Sequence, residues 1–226
     1  MNICRLAAPI CIFILAACAH IPEDAESKAD SFWFIFLETG KKTPADQDLV
    51  GKMQRGHIDN FKRLHSEKKL FAAGPLQDPS TLKRGIVIVK APTIEVLKTY
   101  FQPDEYVREG YMTLNAMPAF AHKALASEGI DTSGVEEVRI IQILRLNPAA
   151  ETGIANANQA FLQALIDKGT VGAWYRIDSD TLSAVLFSRT TDSKTLEDTF
   201  AQYPAAKSGD VSVVVWRQWL SKGVVK

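Results

Sequence analysis

The chain has 226 residues, with 26 basic and 26 acidic side chains and therefore no net formal charge at pH 7. Hydrophobic residues make up 46% of it, which is enough for one large core or two smaller ones. The even charge balance argues against nucleic acid as a partner, because binding to phosphates requires a basic face.

The first element is a short apolar run at the N terminus. Residues 6–17 follow the single positive charge of Arg5, and this run is too short to anchor the chain across a bilayer. It ends in Leu15-Ala16-Ala17-Cys18, which resembles the bacterial lipoprotein cleavage box. The resemblance implies that residues 1–17 are a signal peptide and that Cys18 carries the lipid. An ordinary signal peptide with an incidental cysteine is the alternative.

Cysteine usage agrees with a lipid anchor. The three cysteines are Cys4, Cys11 and Cys18, so cleavage before Cys18 and lipidation leave the mature domain without a free thiol or a disulfide. Residues 18–30 are polar and lack apolar periodicity, which predicts a flexible tether. By resemblance to Gram-negative lipoproteins, Ala19 after the cysteine implies an outer-membrane location facing the periplasm.

The pattern of apolar and turn residues in 31–120 predicts the order strand, helix, strand, strand, helix, strand. The first helix is expected to begin at Thr43-Pro44, a cap residue followed by proline, and to end near Lys69. Thr93 is expected to open the second helix. The strands are predicted in the segments FWFIFL (32–37), LFAAGPL (70–76), GIVIVKA (85–91) and YMTLNAM (111–117).

The same order of elements follows in residues 136–226, after a linker over 121–135. We expect a connecting helix at 121–129, with His122 exposed. A shift of one hundred residues aligns identical residues between the halves, among them Phe61 with Phe161 and Lys68 with Lys168. The shared order and register favour an internal duplication, in which the second copy is degenerate.

The order of elements predicts an α+β fold of two ferredoxin-like βαββαβ units. Each unit covers one face of its sheet with helices and leaves the other face bare. A bare apolar face of that size is unstable in water, so we expect the two units to pack sheet-to-sheet as a pseudo-dimer within one chain. A monomer is then expected rather than a homodimer.

Two polar residues of the first half are candidates for chemistry. His57 lies on the apolar stripe of the first helix, between Met53 and Phe61, and should point toward the sheet. Asp104 follows the second helix, where it is either a cap on a turn or a partner for His57. At the hundred-residue register the second half has Ala157 and Pro204, so it lacks both. An imidazole oriented by a carboxylate suits acid–base catalysis.

The first half, over roughly residues 32–120, resembles the YCII-related family. The resemblance rests on the opening strand FIFLETG, His57, Leu64, the segment AAGPL at 72–76, Gly85 and DEYVREG at 104–110, where Glu105 replaces a frequent proline. It implies a ferredoxin-like unit that pairs into a dimeric α+β barrel. It also implies an active site at His57 and Asp104, without defining a reaction. Gly74, Pro75 and Tyr106 are candidate ligand contacts, and Arg55 should face away.

Two functions remain open at this point. One is a lipid-anchored enzyme, an isomerase, lyase or hydrolase acting on a small polar metabolite with His57 and Asp104. The other is a non-catalytic envelope binding or structural module. Nucleotide-binding and serine-nucleophile motifs are missing, and the four histidines lack metal-ligand spacing, so we expect no cofactor and no metal. Haem stays an alternative, because one histidine suffices as its axial ligand.

Overall fold

The computed structural model describes residues 31–147 and 155–226. The predicted signal peptide, Cys18 and the tether all lie outside the described residues, as does the segment 148–154 that precedes the fourth helix. Within the described ranges, no helix combines the length and the apolar character needed to cross a membrane.

The described chain is an α+β structure with the predicted order of elements in each half. The first half contains β1 (Ser31–Thr39), α1 (Gln47–Ser66), β2 (Leu70–Pro75), β3 (Lys83–Ala91), α2 (Ile94–Tyr100), α3 (Glu105–Arg108) and β4 (Met112–Lys123). The second half contains β5 (Asp131–Arg145), α4 (Ala155–Asp167), β6 (Ala173–Ile177), β7 (Leu182–Ser188), α5 (Ser193–Phe200), α6 (Pro204–Lys207) and β8 (Val211–Lys222).

Side-chain caps decide where the helices of the first half begin. The carboxylate of Asp46 accepts hydrogen bonds from the backbone N–H groups of Asp48 and Leu49, at 3.0 and 3.2 Å, so α1 begins at Gln47. The prediction that it begins at Thr43-Pro44 was wrong, because a carboxylate that accepts two bonds is the stronger cap. The predicted cap of α2 is confirmed: Thr93 accepts from the N–H of Val96 at 3.3 Å.

All eight described strands belong to one antiparallel sheet, in the order β2-β3-β1-β4-β6-β7-β5-β8. Each half has the ferredoxin-like order, but the halves are joined edge to edge through β4 and β6, whereas we expected two separate sheets. The two outer strands approach each other, since Leu76 bridges Gln218 and the N–H of Gln77 donates to the carbonyl of Arg217 at 3.0 Å. The sheet is therefore a nearly closed barrel.

The join between the halves replaces the helix that we predicted at 121–129. Strand β4 runs on to Lys123, and its last part pairs with β6, with Ala119 opposite Ile177 and Ala121 opposite Tyr175. Edge strands leave a row of unpaired backbone groups, and this pairing satisfies those of both β4 and β6. That gain outweighs the helical propensity of an alanine-rich segment. His122 is exposed at the end of this strand, as expected.

The barrel encloses an apolar core to which both halves contribute. Its interior includes Phe34, Phe36, Ile86 and Ile88 from the first half and Ile140, Tyr175, Val185 and Phe187 from the second. Two further cores lie outside the sheet, one under α1 and α2 and one under α4 and α5. Each half thus has a core of its own, while the barrel interior stabilises both together.

Closure of the barrel requires a glycine on β2. A Cβ atom built on Gly74 would lie 1.9 Å from the carbonyl oxygen of Trp219 on β8, so only glycine permits this approach of the two strands.

We expect Gly74→Ala to lower the free energy of unfolding by roughly 1–3 kcal/mol, because the added methyl group must push β2 and β8 apart. The control is Gly56→Ala within α1, where a Cβ meets nothing within 4 Å. That change should stabilise the protein by about 0.5–1 kcal/mol through helix propensity. Urea unfolding measures both, and equal effects of the same sign would contradict the close-approach argument.

Candidate active site

His57 lies on the buried face of α1, as its spacing predicted. The buried residues of this helix are Met53, His57, Asn60 and Leu64, and only 6% of His57 is exposed. Its imidazole ring packs edge-on against Phe61, with the ring centroids 4.4 Å apart. Arg55, two residues before it, is on the exposed side of the helix, as expected. The helix therefore fixes the direction in which the imidazole points.

Asp104 is both a helix cap and the partner of His57. Its Oδ1 accepts a hydrogen bond from the backbone N–H of Tyr106 at 3.0 Å, which begins the short helix α3. Its Oδ2 lies 2.6 Å from Nδ1 of His57, and the carboxyl group is fully buried. The two interpretations that the sequence left open are thus compatible, because each oxygen has its own partner.

This contact determines which ring nitrogen of His57 is available. An ionised carboxylate can only accept hydrogen bonds, so Nδ1 is the nitrogen that donates to Asp104. Nε2 has no hydrogen-bond partner among the described residues and reaches the solvent of an adjoining cleft. A carboxylate on Nδ1 favours the tautomer whose Nε2 carries a lone pair, which is the form that abstracts a proton.

Tyr106 supports the histidine from behind and does not line the cleft. It is 3% exposed, its ring is edge-on to His57 at 5.9 Å, and its hydroxyl group donates to the carbonyl of Val50 at 3.3 Å. The structure therefore brings Tyr106 to His57 but not to a place where a ligand could contact it.

Gly74 and Pro75 do lie in the lining of the cleft, so two of the three candidate ligand contacts face its space. The cleft has a volume of about 380 Å³ and runs between α1 and the edge where β2 meets β8. Much of its lining is apolar, and it includes Leu37, Ile58, Phe61, Met112, Val135 and Trp219. Polar groups come from Gln54, Ser221 and the cation Arg84.

The sequence did not indicate Arg84 or any contribution from the second half to this cleft. Trp219 and Ser221 belong to β8, more than one hundred residues away, and reach the cleft only because the barrel closes against β2. No pattern local to the first half could have indicated them. Elsewhere in the described chain, no group of three or more His, Cys, Asp or Glu side chains is placed to hold a metal ion.

The second half has a polar residue at the place equivalent to His57, contrary to the hundred-residue register. Asn158 is buried in α4, and its Oδ1 accepts from the N–H of Ala205 in α6 at 3.1 Å, as Asp104 accepts from Tyr106. The cap position of α6 is occupied by Tyr203, whose side chain makes no cap hydrogen bond. Asn158 thus reaches α6 directly, without an intervening carboxylate.

Backbone landmarks explain the error. Left-handed residues end the first helix of each half at Lys68 and Gly169, which are 101 apart, and follow the third helices at Gly110 and Gly209, which are 99 apart. The spacing between equivalent residues of the two halves is therefore 101 in the first helix and 99 near the third helix. Asn158 and Tyr203 thus correspond to His57 and Asp104. The predicted equivalents Ala157 and Pro204 were wrong, but the absence of the His–Asp pair from the second half holds.

No protein-family profile matches the chain, and neither does any curated protein sequence. Solved structures do share its fold. A proposed monooxygenase from Lactobacillus acidophilus aligns with a TM-score of 0.55 at 10% identity, covering 84% of this chain and 93% of its own. The chain has a ferredoxin-like α+β barrel fold.

A proposed monooxygenase from Fusobacterium nucleatum has the same TM-score and identity, 0.55 and 10%, covering 88% of this chain and 94% of its own. A haem-binding protein from Thermus thermophilus reaches 0.50 at 8% identity, covering 84% and 91%. At such identities the likeness shows the barrel fold alone. Membership of the YCII-related family is not shown by these matches and stays a hypothesis.

Proposed function

We propose that the cleft beside His57 binds a small molecule and that the His57–Asp104 pair transfers a proton to or from it. The observation that carries this proposal is the buried 2.6 Å contact, which fixes Nδ1 and leaves Nε2 free in a histidine that lines the cleft. A histidine that served only to fill the core would not need a buried carboxylate, nor an open cleft against its other nitrogen.

The proposed chemistry follows from the geometry. Nε2 removes a proton from the bound molecule, and the carboxylate of Asp104 stabilises the imidazolium ion that forms. The proton returns from Nε2 to another atom of the same molecule or to a leaving group, which covers isomerisation and elimination. The apolar lining excludes water and strengthens both electrostatic interactions.

The lining also narrows the ligand class relative to the small polar metabolite that the sequence suggested. Phe61 and Trp219 offer apolar surface for a ring or an alkyl body, while Arg84 offers a cation for one anionic group. A cleft of about 380 Å³ is at the small end of the usual range for such sites. We therefore propose a small, mainly apolar molecule with one acidic group and an activated C–H or O–H bond.

Phenylpyruvate meets this description and tests the proposal, because its keto–enol conversion is a proton transfer that absorbance follows directly. We expect the full chain to accelerate this conversion, and His57→Asn to reduce the acceleration by a factor of about 10²–10⁴. Asparagine is the matched replacement, since Asn158 occupies the same place in the second half. Equal acceleration by the wild type and by His57→Asn would refute the catalytic role.

Two further variants separate chemistry from binding. Arg84→Gln should raise KM and leave kcat little changed, because the cation contacts the acidic group and not the reacting atoms. His122→Gln alters an exposed histidine outside this cleft and should change neither constant. Addition of haemin tests the alternative that His57 is an axial ligand of haem. An absorbance shift of haemin that depends on His57 would favour haem ligation over acid–base chemistry.

We propose further that the two halves are an intrachain pseudo-dimer of YCII-related type that arose by duplication. The repeated strand order, the paired left-handed residues and the barrel interior with contributions from both halves support it. The alternative, a binding module with an idle site, shares this architecture. It would bind phenylpyruvate without accelerating its tautomerisation.

The remaining part of the proposal is lipid anchoring to the bacterial envelope, which rests on the segment from Leu15 to Cys18. We expect the wild type expressed in a Gram-negative host to incorporate labelled fatty acid and Cys18→Ser to lose the label, because the thiol is the acceptor. Equal labelling of the two proteins would remove the anchor from the proposal.

A further inference from the structure

Two exposed apolar side chains belong to the lining of the His57 cleft. Six large apolar residues are exposed in the described part of the chain, and two of them, Ile58 and Val135, line this cleft. Ile58 is 41% exposed on α1, and Val135 is 65% exposed on β5. Single exposed apolar residues are ordinary on a protein surface. A pair of them on the helix and sheet walls of one cleft indicates apolar surface that a bound molecule covers.

A bulge in β5 places Val135 at the cleft. Asp131 pairs with Lys222 and Val135 pairs with Ser221, so β5 has three extra residues between two adjacent positions of β8. The backbone N–H and the hydroxyl group of Ser133 both donate to Oδ1 of Asp131, at 2.9 and 2.6 Å, which holds the bulge in a fixed turn. Bulges beside binding sites redirect a side chain. The bulge thus directs an apolar side chain to the cleft at the expense of its burial.

The lining of the cleft crosses four neighbouring strands of the barrel wall. Around the barrel their order is β3, β2, β8 and β5, because β8 closes against β2. In that order these strands contribute the cation Arg84, then Gly74, then Trp219 and finally Val135. Three inter-strand spacings separate the first strand from the last, which is roughly 14 Å along the wall. A cation at one end and an apolar side chain at the other fit an elongated molecule with an acidic head and an apolar tail.

Trp219 is held in place between these two ends. The guanidinium of Arg217 lies 5.2 Å from its ring centroid, and Glu137, opposite Trp219 on β5, forms an ion pair with that guanidinium. Arg139 contacts the other carboxylate oxygen of Glu137 at 2.6 Å. Because these charges are paired with one another, the indole presents fixed apolar surface to the cleft.

The second half provides a comparison for Ile58. It contains a cleft of about 360 Å³ beside α4, lined by Asn158 at the place of His57. At the same spacing of 101, Ile58 corresponds to Gln159, which is exposed and also lines its cleft. The fold therefore accepts a polar side chain at this position. An exposed isoleucine there is explained by contact with a ligand.

We propose that the ligand of the His57 cleft carries an alkyl chain that extends beyond the cleft. Arg84 holds the acidic head, and His57 faces the activated bond beside it. The chain runs over Trp219 and leaves between Ile58 and Val135. The inference rests on the proposed function and narrows its ligand to an alkyl acid. Each methylene group that lies against these side chains is withdrawn from water, so affinity should rise with chain length.

Straight-chain 2-oxo acids are the probes. The acids 2-oxobutanoate, 2-oxohexanoate and 2-oxooctanoate share one acidic head and one activated C–H group and differ only in chain length. We expect calorimetry on the full chain to show an affinity that rises by about threefold for each added methylene group. His57→Asn should show the same trend, because it binds without transferring a proton. Equal affinities for the three acids would overturn the proposal.

Ile58→Gln and Val135→Thr locate the chain. Each should weaken binding of 2-oxooctanoate by about three- to tenfold and change binding of 2-oxobutanoate by less than about twofold, because only the longer chain reaches these positions. Both positions are exposed, so the fold should persist, which circular dichroism verifies. Val96→Gln alters an exposed valine on α2 outside the cleft and should change neither affinity. Equal weakening of both acids, or the same weakening by Val96→Gln, would place the chain elsewhere and overturn the assignment.

Phenylpyruvate separates this proposal from the proposed function. It has no alkyl tail, so the wild type, Ile58→Gln and Val135→Thr should accelerate its keto–enol conversion to the same extent. Acceleration of this conversion without any dependence of 2-oxo acid binding on chain length would overturn the alkyl chain and leave the proton transfer intact. Binding that depends on chain length, without acceleration, would support the alkyl chain and refute the catalytic role.

Discussion

Asp104→Ala should lower the free energy of unfolding by roughly 2–4 kcal/mol, more than is usual for a single helix cap. The carboxyl group is fully buried and serves two donors, Nδ1 of His57 at 2.6 Å and the N–H of Tyr106 at 3.0 Å. Removing it deprives α3 of its cap and leaves two donors without an acceptor, where water replaces the lost bonds poorly.

Asp46→Ala is the matched control for this prediction. Asp46 also accepts from two backbone N–H groups at the start of a helix, but it is exposed, and water can take its place. Its loss should cost about 1 kcal/mol. Urea unfolding of both variants measures the difference. A cost for Asp104→Ala no larger than that for Asp46→Ala would mean that the contact with His57 adds nothing to stability.

Asp104→Asn separates the two functions of the carboxylate. Asparagine caps helices about as well as aspartate, so α3 should persist with little loss of stability. The neutral amide, however, attracts the Nδ1 proton of His57 less strongly than a carboxylate does. Nitrogen NMR of the ring should show the proton on Nδ1 in the wild type and a larger share on Nε2 in the variant. Unchanged proton positions would contradict the assigned orientation.

The sequence predicted the elements and the inward direction of His57 because those depend on periodicity within one helix or strand. Met53, His57 and Leu64 share one face of α1 whatever the rest of the chain does. The cap at Thr93 likewise depends only on residues adjacent to it in the chain. The start of α1 was missed because two candidate caps, Thr43 and Asp46, stand three residues apart and local preference alone does not rank them.

The way the two halves join and the full lining of the cleft could not be predicted, because both depend on contacts between segments that are distant in the chain. The edge-to-edge pairing of β4 with β6 overrode the helical appearance of residues 121–129, and barrel closure brought Trp219 to the cleft. The hundred-residue register failed for another reason. Identities such as Phe61 with Phe161 aligned by chance, whereas the backbone preserves spacings of 101 and 99.

The first half alone, residues 31–123, should not persist as a monomer. Separation from the second half bares the barrel-facing side of its sheet, which carries Phe34, Phe36, Ile86 and Ile88. These four side chains expose several hundred Å² of apolar surface, on the order of the largest patches that soluble monomers tolerate. Strands β2 and β4 also become open edges.

Light scattering decides this prediction. Residues 31–226 should give the mass of one chain, and residues 31–123 should give a dimer or aggregates. Co-expression of residues 31–123 with residues 124–226 is the control, because the two pieces together regain both the barrel core and the β4–β6 pairing. A well-behaved monomeric first half would contradict the proposed pseudo-dimer.

A dimer of the first half would have a defined arrangement, because β4 of one copy can pair with β2 of the other, in the place that β8 occupies in the full chain. Phe120 and His122 correspond to Trp219 and Ser221 in the 99-residue register, so each cleft would be walled by the partner copy's Phe120 and His122. Such a dimer should contain two His57–Asp104 pairs, both intact, since each pair lies within one copy. Phenylpyruvate should then occupy two His57 clefts per dimer, whereas the full chain has one His57 cleft. A dimer with a single site would mean that the copies associate by another face.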